Sequence, residues 1–275
     1  MNLHQLTVVV LAGLLFFPSE AGAARKSKAS SGRRVTAKAA ILWDSSSGKR
    51  LYGKHINQRV QPASTTKVMT ALLVLERLPL DAYVTVPPAA TQPQPSKLFL
   101  HPGDKYRVRD LLYAILLNSA NDASVVLAYA VAGSEQNFVQ MMNDRARKLG
   151  AHNTKFANSH GLPSKQSQYS TPYDMSLILR EALKNDFFRQ AITSKFKTIY
   201  SKDGRKHILK SHNKMLFKGW NQYVYGKTGY TRLAQSCFVG FTQRGKRELI
   251  VAVFGATQRW QDIKYIVERY GGVDL

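Results

Sequence analysis

A buried helix that begins with a serine and a lysine constrains the fold of this chain more than any other stretch. Residues 68–75 carry no charge, and their apolar side chains fall on every face of a helix. A helix that is apolar all round belongs in the interior of a protein. The 275 residues suffice for one large domain or two smaller ones with a sizeable core. We therefore expect this helix to lie at the centre of the fold.

The first turn of this helix carries Ser64 and Lys67, a pair that can perform nucleophilic catalysis. Residues three positions apart share one face of a helix, so the lysine amine can reach the serine hydroxyl. Burial favours the neutral amine and lowers the lysine pKa, which makes the amine a candidate general base for the serine. By itself, Ser-x-x-Lys is more often a capping serine followed by a solvated lysine. Partners elsewhere in the chain decide between the two interpretations.

The N-terminal residues predict export. An apolar run at residues 6–17 and the small residues Ala21-Gly22-Ala23 are typical of a signal peptide over residues 1–23. An uncleaved anchor is the alternative, although the apolar run is short for a membrane span. Residues 24–37 are basic and polar, and we expect a disordered leader that at most makes weak contact with an anionic wall or membrane surface. Export predicts a location in the periplasm or in the extracytoplasmic wall space.

The net charge of +23 favours an anionic partner. Beyond the leader, the basic residues are scattered and form no patch interleaved with aromatic residues, so we expect no nucleic-acid partner. The seven histidines show no metal-ligand spacing, and the single cysteine, Cys237, cannot build a thiolate site. We therefore expect no metal and no other cofactor.

The predicted elements run from strands through helices to strands. Two strands are predicted at residues 38–43 and 50–53, and five more between residues 196 and 254. Helices dominate the intervening stretch, and a last helix is predicted at residues 259–270. We expect the two strand groups to form one sheet. This predicts an α+β fold, in which an antiparallel sheet is flanked by helices and a helical subdomain is inserted at about residues 80–183.

Two further motifs provide partners for the serine and the lysine. Ser119-Ala120-Asn121 falls at a predicted break between helices, and Lys227-Thr228-Gly229 falls on a predicted strand. Together with Ser-x-x-Lys, and in this order, these motifs mark penicillin-binding proteins and class A β-lactamases. Each motif is weak alone, but each stands here in its expected structural context.

The chain resembles the serine-type D-alanyl-D-alanine carboxypeptidases, which are low-molecular-mass penicillin-binding proteins. The resemblance runs from about residue 39 to residue 270. It implies a β-lactamase/transpeptidase-like fold and assigns residues 38–275 to the peptidase domain. Besides the three motifs, it rests on these landmarks: Leu100-His101-Pro102-Gly103-Asp104, Asn121-Asp122-Ala123, Lys148-Leu149-Gly150, His160-Gly161-Leu162 and Lys227-Thr228-Gly229-Tyr230-Thr231.

The resemblance implies the catalytic roles. Ser64 would attack the carbonyl of a terminal D-Ala-D-Ala stem peptide of peptidoglycan, releasing D-alanine and leaving an acyl-enzyme that water hydrolyses. Lys67 would take the serine proton, and Ser119 would relay a proton to the leaving amine. β-Lactam antibiotics would acylate the same serine.

It also implies the binding roles. Asn121 would bind the peptide amide and steady the catalytic lysine. Lys227 and Thr228 would hold the substrate carboxylate, and Gly229 would let the substrate approach the strand edge. The backbone N–H of Tyr230 would form the oxyanion hole together with that of the nucleophile.

Three other functions share part of this pattern. The nearest is an endopeptidase that cuts D-Ala cross-links. A class A β-lactamase deacylates with a loop glutamate, and residues 158–170 contain none. A non-catalytic wall-binding protein suits the positive charge, but the complete catalytic motifs argue against it. Two positions depart from the family: Gln235 stands where a glycine is frequent, and His212, where some relatives have arginine, is interpreted as a surface histidine.

Overall fold

The computed structural model describes residues 34–275, so the predicted signal peptide and most of the predicted leader lie outside the described residues. A five-stranded antiparallel sheet with the order β2-β1-β9-β8-β7 forms the centre. The first and last strand groups therefore share one sheet, as predicted. Its strands are β1 (Ala39–Asp44), β2 (Arg50–Lys54), β7 (Tyr225–Thr231), β8 (Gln235–Arg244) and β9 (Arg247–Ala256).

The central strands are apolar on both faces because helices cover both sides of the sheet. In β9, Leu249, Val251 and Val253 belong to one core, and the intervening Ile250 and Ala252 belong to the other. This is the two-residue alternation of a strand, with both faces buried. The predicted α+β fold with helices on both sides is confirmed.

Seven α-helices surround the sheet in the described part of the chain. The helix that starts at Lys67 is buried over most of its length, and α5 lies beside it against β1, β8 and β9. On the other side of the sheet, α7 packs on the second core. The helices are α1 (Lys67–Arg77), α2 (Val108–Leu116), α3 (Asn121–Ala132), α4 (Glu135–Lys148), α5 (Pro172–Ala182), α6 (Asp186–Thr193) and α7 (Arg259–Ile266).

The helices α4 and α5 begin at side-chain caps. The Ser134 hydroxyl accepts a hydrogen bond from the Asn137 N–H at 3.1 Å, and the Thr171 hydroxyl accepts one from the Asp174 N–H at 3.0 Å. The break between α2 and α3 spans residues 117–120, so Asn121 is the first residue of α3 instead of part of the break.

Two short ladders lie outside the central sheet, and only the second of them belongs to a strand group that was predicted to join it. The strands β3 (Tyr83–Thr85) and β4 (Lys105–Arg107) form one two-stranded sheet, and β5 (Phe196–Tyr200) and β6 (Lys206–Lys210) form another. Both strands of the second ladder are buried on one face only, so the ladder covers the helices instead of joining the central sheet. The short β4 and the helix α6 were not predicted.

The packed chain begins earlier than residue 38. Val35 and Ala37 are buried in the core beneath α7. The Asp262 carboxylate accepts hydrogen bonds from the N–H groups of Thr36 and Ala37 and from the Thr36 hydroxyl, at 2.6 to 3.0 Å. The predicted leader therefore ends before Val35, and residues 35–275 form one compact unit. No helix within the described residues is long and apolar enough to span a membrane.

Candidate active site

The serine of the first motif stands on a tight 3₁₀ turn that leads directly into α1. The turn covers Ala63–Thr66, and Ala63 has a positive φ of 47°. Gly161 supports this turn from below: a Cβ on Gly161 would lie 1.8 Å from the Ala63 carbonyl oxygen. Only a glycine fits there, since Gly161 also has a φ of +86°. The neighbouring loop therefore fixes the backbone that presents Ser64.

Lys67 is fully buried, and its amine contacts three oxygen atoms. Nζ lies 2.6 Å from Asn121 Oδ1, 2.7 Å from the His160 carbonyl oxygen and 3.3 Å from Ser64 Oγ. Burial and then the positive charge of Lys227 lower the Lys67 pKa well below its usual value. A neutral amine has two hydrogens and one lone pair. The two short contacts use the hydrogens, so the lone pair is left to face the Ser64 hydroxyl.

The amide of Asn121 is held at both ends. Its Nδ2 donates to the Gln94 carbonyl at 2.7 Å, which turns Oδ1 towards Lys67. The next residue, Asp122, accepts hydrogen bonds from the N–H groups of Leu98 and Leu100 at 2.9 and 3.2 Å. The start of α3 therefore fixes both the lysine and the loop that forms one wall of the site.

Ser119 lies in the turn between α2 and α3, where its φ is +59°. A serine rarely adopts this left-handed conformation, and such strain concentrates at functional sites. Ser119 lines the same cleft as Ser64. The structure thus brings all three predicted catalytic residues to one place.

The edge strand β7 closes the opposite side of the cleft. A Cβ on Gly229 would lie 3.0 Å from the Ser64 nitrogen and 3.1 Å from the Ala63 Cβ. A larger residue would push the strand away, so the glycine allows β7 to approach Ser64. Thr228, Gly229 and Tyr230 all line the cleft.

Lys227 lies behind this wall instead of on it. Its side chain is buried, and Nζ donates to the Thr228 carbonyl at 3.0 Å. Burial and then the charge of Arg259 lower the pKa of Lys227 to about 7. The charge of Lys227 therefore reaches the Lys67 amine without Lys227 lining the cleft, whereas Thr228 lines it.

Sequence reasoning missed the role of two residues. Arg259 lines the cleft, and its guanidinium donates to the Gly229 and Cys237 carbonyls at 3.1 and 2.9 Å. It thereby bridges β7 and β8 beside Ser64, and no motif marks it. His160 accepts the Leu162 N–H on Nδ1 at 3.2 Å while its carbonyl binds Lys67, and burial and then the lysine lower the pKa of His160 to about 3. The His-Gly-Leu landmark signalled this residue but gave no role.

The cleft has a volume of about 800 Å³ and a basic rim. His212, Lys210, Lys214 and Lys218 line it, and all four are exposed. His212 is thus a surface histidine, as expected, and it also borders the cleft. Among residues 34–275, no three His, Cys, Asp or Glu side chains are placed to hold a metal ion together.

Comparison with known proteins identifies the family. The D-alanyl-D-alanine carboxypeptidase family of peptidases matches residues 25–258. The D-alanyl-D-alanine carboxypeptidase DacF of Bacillus subtilis is 34% identical over 256 residues, which cover 91% of this chain and 65% of DacF. DacC of Escherichia coli, a D-alanyl-D-alanine carboxypeptidase, is 36% identical over 256 residues, which cover 88% of this chain and 61% of DacC.

Among solved structures, the DD-transpeptidase of Streptomyces K15 has a TM-score of 0.80 at 31% identity, covering 88% of this chain and 99% of that one. The chain spans less than two thirds of the length of DacF and of DacC. Over most of its own length it matches the family and has the family's fold. This chain belongs to the D-alanyl-D-alanine carboxypeptidase family of serine peptidases.

Proposed function

We propose that this chain is a D-alanyl-D-alanine carboxypeptidase that removes the terminal D-alanine of peptidoglycan stem pentapeptides through an acyl-serine intermediate. The observation that carries the proposal is the environment of the Lys67 amine. Two short hydrogen bonds, to Asn121 and to the His160 carbonyl, leave its lone pair for the Ser64 hydroxyl 3.3 Å away. A buried neutral amine beside a hydroxyl is an activated nucleophile.

In the first step, Ser64 Oγ attacks the carbonyl carbon between the two D-alanines while Lys67 takes the hydroxyl proton. The backbone N–H groups of Ser64 and Tyr230 would bind the oxygen that becomes negative. Support for this comes from the close approach of β7 at Gly229 to the Ser64 nitrogen. Donors fixed in advance stabilise such an oxyanion without reorganisation.

The carbon–nitrogen bond then breaks, and the leaving amine needs a proton. We assign the transfer of this proton to Ser119, because this strained serine lines the cleft together with Ser64.

Asn121 would bind the peptide amide. Thr228 would bind the carboxylate of the leaving D-alanine, with the charge of Lys227 behind it. Water attacks the acyl carbon afterwards, and the proton it loses returns to the Ser64 oxygen. A β-lactam ring opened by the same attack would remain on Ser64.

The place of action follows from the substrate and from the N-terminal sequence. We propose that residues 1–23 are a signal peptide and that the enzyme works in the periplasm or in the extracytoplasmic wall space. Residues 24–34 then form a basic leader before the peptidase domain. A test is the N-terminal sequence of the exported protein, which should begin at Ala24.

The test of the activity uses a stem pentapeptide and a chain that begins at Ala24. D-Alanine release should be lost in Ser64→Ala, and the folded variant should no longer bind fluorescent penicillin covalently. A purified cross-linked dimer, supplied at the same concentration, tests the endopeptidase alternative. If the dimer were cleaved faster than the pentapeptide, the chain would be an endopeptidase and not a carboxypeptidase. Labelling that persisted in Ser64→Ala would overturn the assignment of the nucleophile.

A further inference from the structure

The hairpin of β5 and β6 exposes an apolar and basic surface beside the cleft. Its register pairs residues directly across the two strands, and side chains alternate between the faces of a strand. Ile199 and Leu209 are buried on the inner face. The outer face, which is exposed throughout and is called the hairpin face below, consists of Phe196, Thr198, Tyr200, Lys206, Ile208 and Lys210.

The apolar residues of the hairpin face form one continuous strip. Ile208 lies opposite Thr198, so it is diagonal to both Phe196 and Tyr200 and within side-chain reach of them. Phe196 also packs edge-on against Phe217, with ring centroids 5.4 Å apart. Ile208 is 67% exposed and Phe196 is 56% exposed. Exposed apolar residues that lie side by side with a charged rim are typical of protein or membrane interaction sites.

Two lysines, Lys206 and Lys210, lie on the hairpin face beside the strip, and the surrounding sequence is basic. Residues 195–218 contain seven lysines, one arginine and a single acidic residue, Asp203. The Lys210 ammonium lies 5.1 Å from the Phe217 ring centroid and 5.9 Å from that of Phe196. Its methylene stem can therefore shield the rings in water, while the charged end stays free to meet an anion. The expectation of no basic patch interleaved with aromatic residues is not met here, because the pairing of β5 and β6 places Lys210 opposite Phe196 and Lys206 opposite Tyr200.

We propose that the hairpin face binds the surface of a membrane that contains anionic phospholipids. The lysines meet the phosphates of the head groups, and the apolar strip enters the interfacial layer. Aromatic side chains with lysines around them suit this layer, which is apolar on one side and wet on the other. An anionic wall polymer would also attract the lysines, but it offers no apolar phase to an exposed isoleucine.

Docking in this way places the cleft at the lipid surface. Lys210 belongs to the hairpin face and lines the cleft, and Phe217, which extends the apolar strip, lines it as well. The mouth of the cleft therefore opens next to the bound membrane. This docking is independent of the reaction performed in the cleft.

Vesicle sedimentation tests the proposal with the chain from Ala24 to Leu275. The protein should sediment with vesicles of phosphatidylcholine and phosphatidylglycerol, less so with phosphatidylcholine alone, and less at high salt. Each lysine contributes about fivefold to the partition coefficient, so Lys206→Gln with Lys210→Gln should lower it about 25-fold. Ile208→Ser removes apolar groups without removing charge and should lower it about tenfold.

Two control variants remove two lysines and one exposed apolar side chain from other parts of the surface. Lys49→Gln with Lys246→Gln removes two exposed lysines from the β1–β2 and β8–β9 turns, and Tyr173→Ser removes an exposed ring at the start of α5. Both should bind like the unmodified chain, and circular dichroism should show every variant folded. Any binding through the basic leader is common to all variants.

Three outcomes would overturn the proposal. In the first, the hairpin variants bind anionic vesicles as strongly as the controls do. In the second, the unmodified chain shows no preference for phosphatidylglycerol. In the third, the chain sediments with an anionic wall polymer through these residues but does not bind vesicles.

Discussion

Replacing Gly161 by alanine tests how the loop beneath the nucleophile controls catalysis. The new Cβ would lie 1.8 Å from the Ala63 carbonyl oxygen and 2.4 Å from its carbon, both backbone atoms that cannot rotate away. Real Cβ contacts stay beyond 3.0 Å, so the backbone next to Ser64 must move by at least about 1.2 Å. A displacement of about 1 Å at a reacting group can cost about 100-fold in rate. We expect acylation by penicillin to slow by about that factor.

The same change also lowers stability through two separable effects. Alanine at a φ of +86° costs about 1 kcal/mol, and overpacking costs about 1–3 kcal/mol more. Gly204→Ala is the matched control, because Gly204 has a φ of +88° and nothing within 4 Å of a new Cβ. It should lose only the backbone contribution and keep full acylation.

The assay combines stopped-flow acylation by fluorescent penicillin with urea unfolding of both variants. Gly161→Ala should acylate about 100-fold more slowly than Gly204→Ala at a temperature where both are folded. A folded Gly161→Ala variant that acylates at the rate of the control would refute the claim that this loop fixes the nucleophile.

Three further predictions concern stability. Gln235 has a φ of +57°, so Gln235→Gly should raise the unfolding free energy by about 0.5–1 kcal/mol, and a lower melting temperature would contradict this. Asp262→Ala removes a carboxylate that accepts three hydrogen bonds from Thr36 and Ala37. Urea unfolding should show that the free energy of unfolding falls by about 2–4 kcal/mol. A fall below about 0.5 kcal/mol would show that Asp262 does not hold the segment before β1. Burial and then Arg259 lower the pKa of Lys227 from its usual 10.5 to about 7 in the folded chain. Between pH 7 and pH 10.5 the unfolded chain therefore binds more protons, and the free energy of unfolding rises with pH. Lys227→Gln should make this rise shallower, and an unchanged slope would contradict the lowered pKa.

The sequence predicted the contact between Ser64 and Lys67 because local spacing defines it. Ser64 and Lys67 lie one helical turn apart, so their contact follows from helix geometry alone. The buried helix and the individual strands of the sheet also follow from patterns within short segments. Roles that the family resemblance supplies, such as the proton relay through Ser119, still await the experiments above.

Contacts between distant segments could not be predicted in this way. Nothing in the sequence shows that the Asn121 amide is turned by the Gln94 carbonyl, or that Gly161 supports the turn before Ser64. The position of Lys227 behind the cleft wall depends on which face of β7 is turned towards the cleft. Val35 looked like part of a polar leader because its burial beneath α7 depends on residues more than 200 positions away.

The pH dependence of acylation tests the central claim, that the neutral Lys67 amine activates Ser64, most directly. The rate of covalent labelling by fluorescent penicillin should rise with pH through a pKa well below the usual lysine value of 10.5, because burial and then Lys227 favour the neutral amine. Lys67→Arg keeps a positive charge but cannot accept the proton. It should therefore abolish the rise of the labelling rate with pH, together with most of the rate itself. A rate that increases only near pH 10.5, or near-normal labelling of folded Lys67→Arg, would contradict the account.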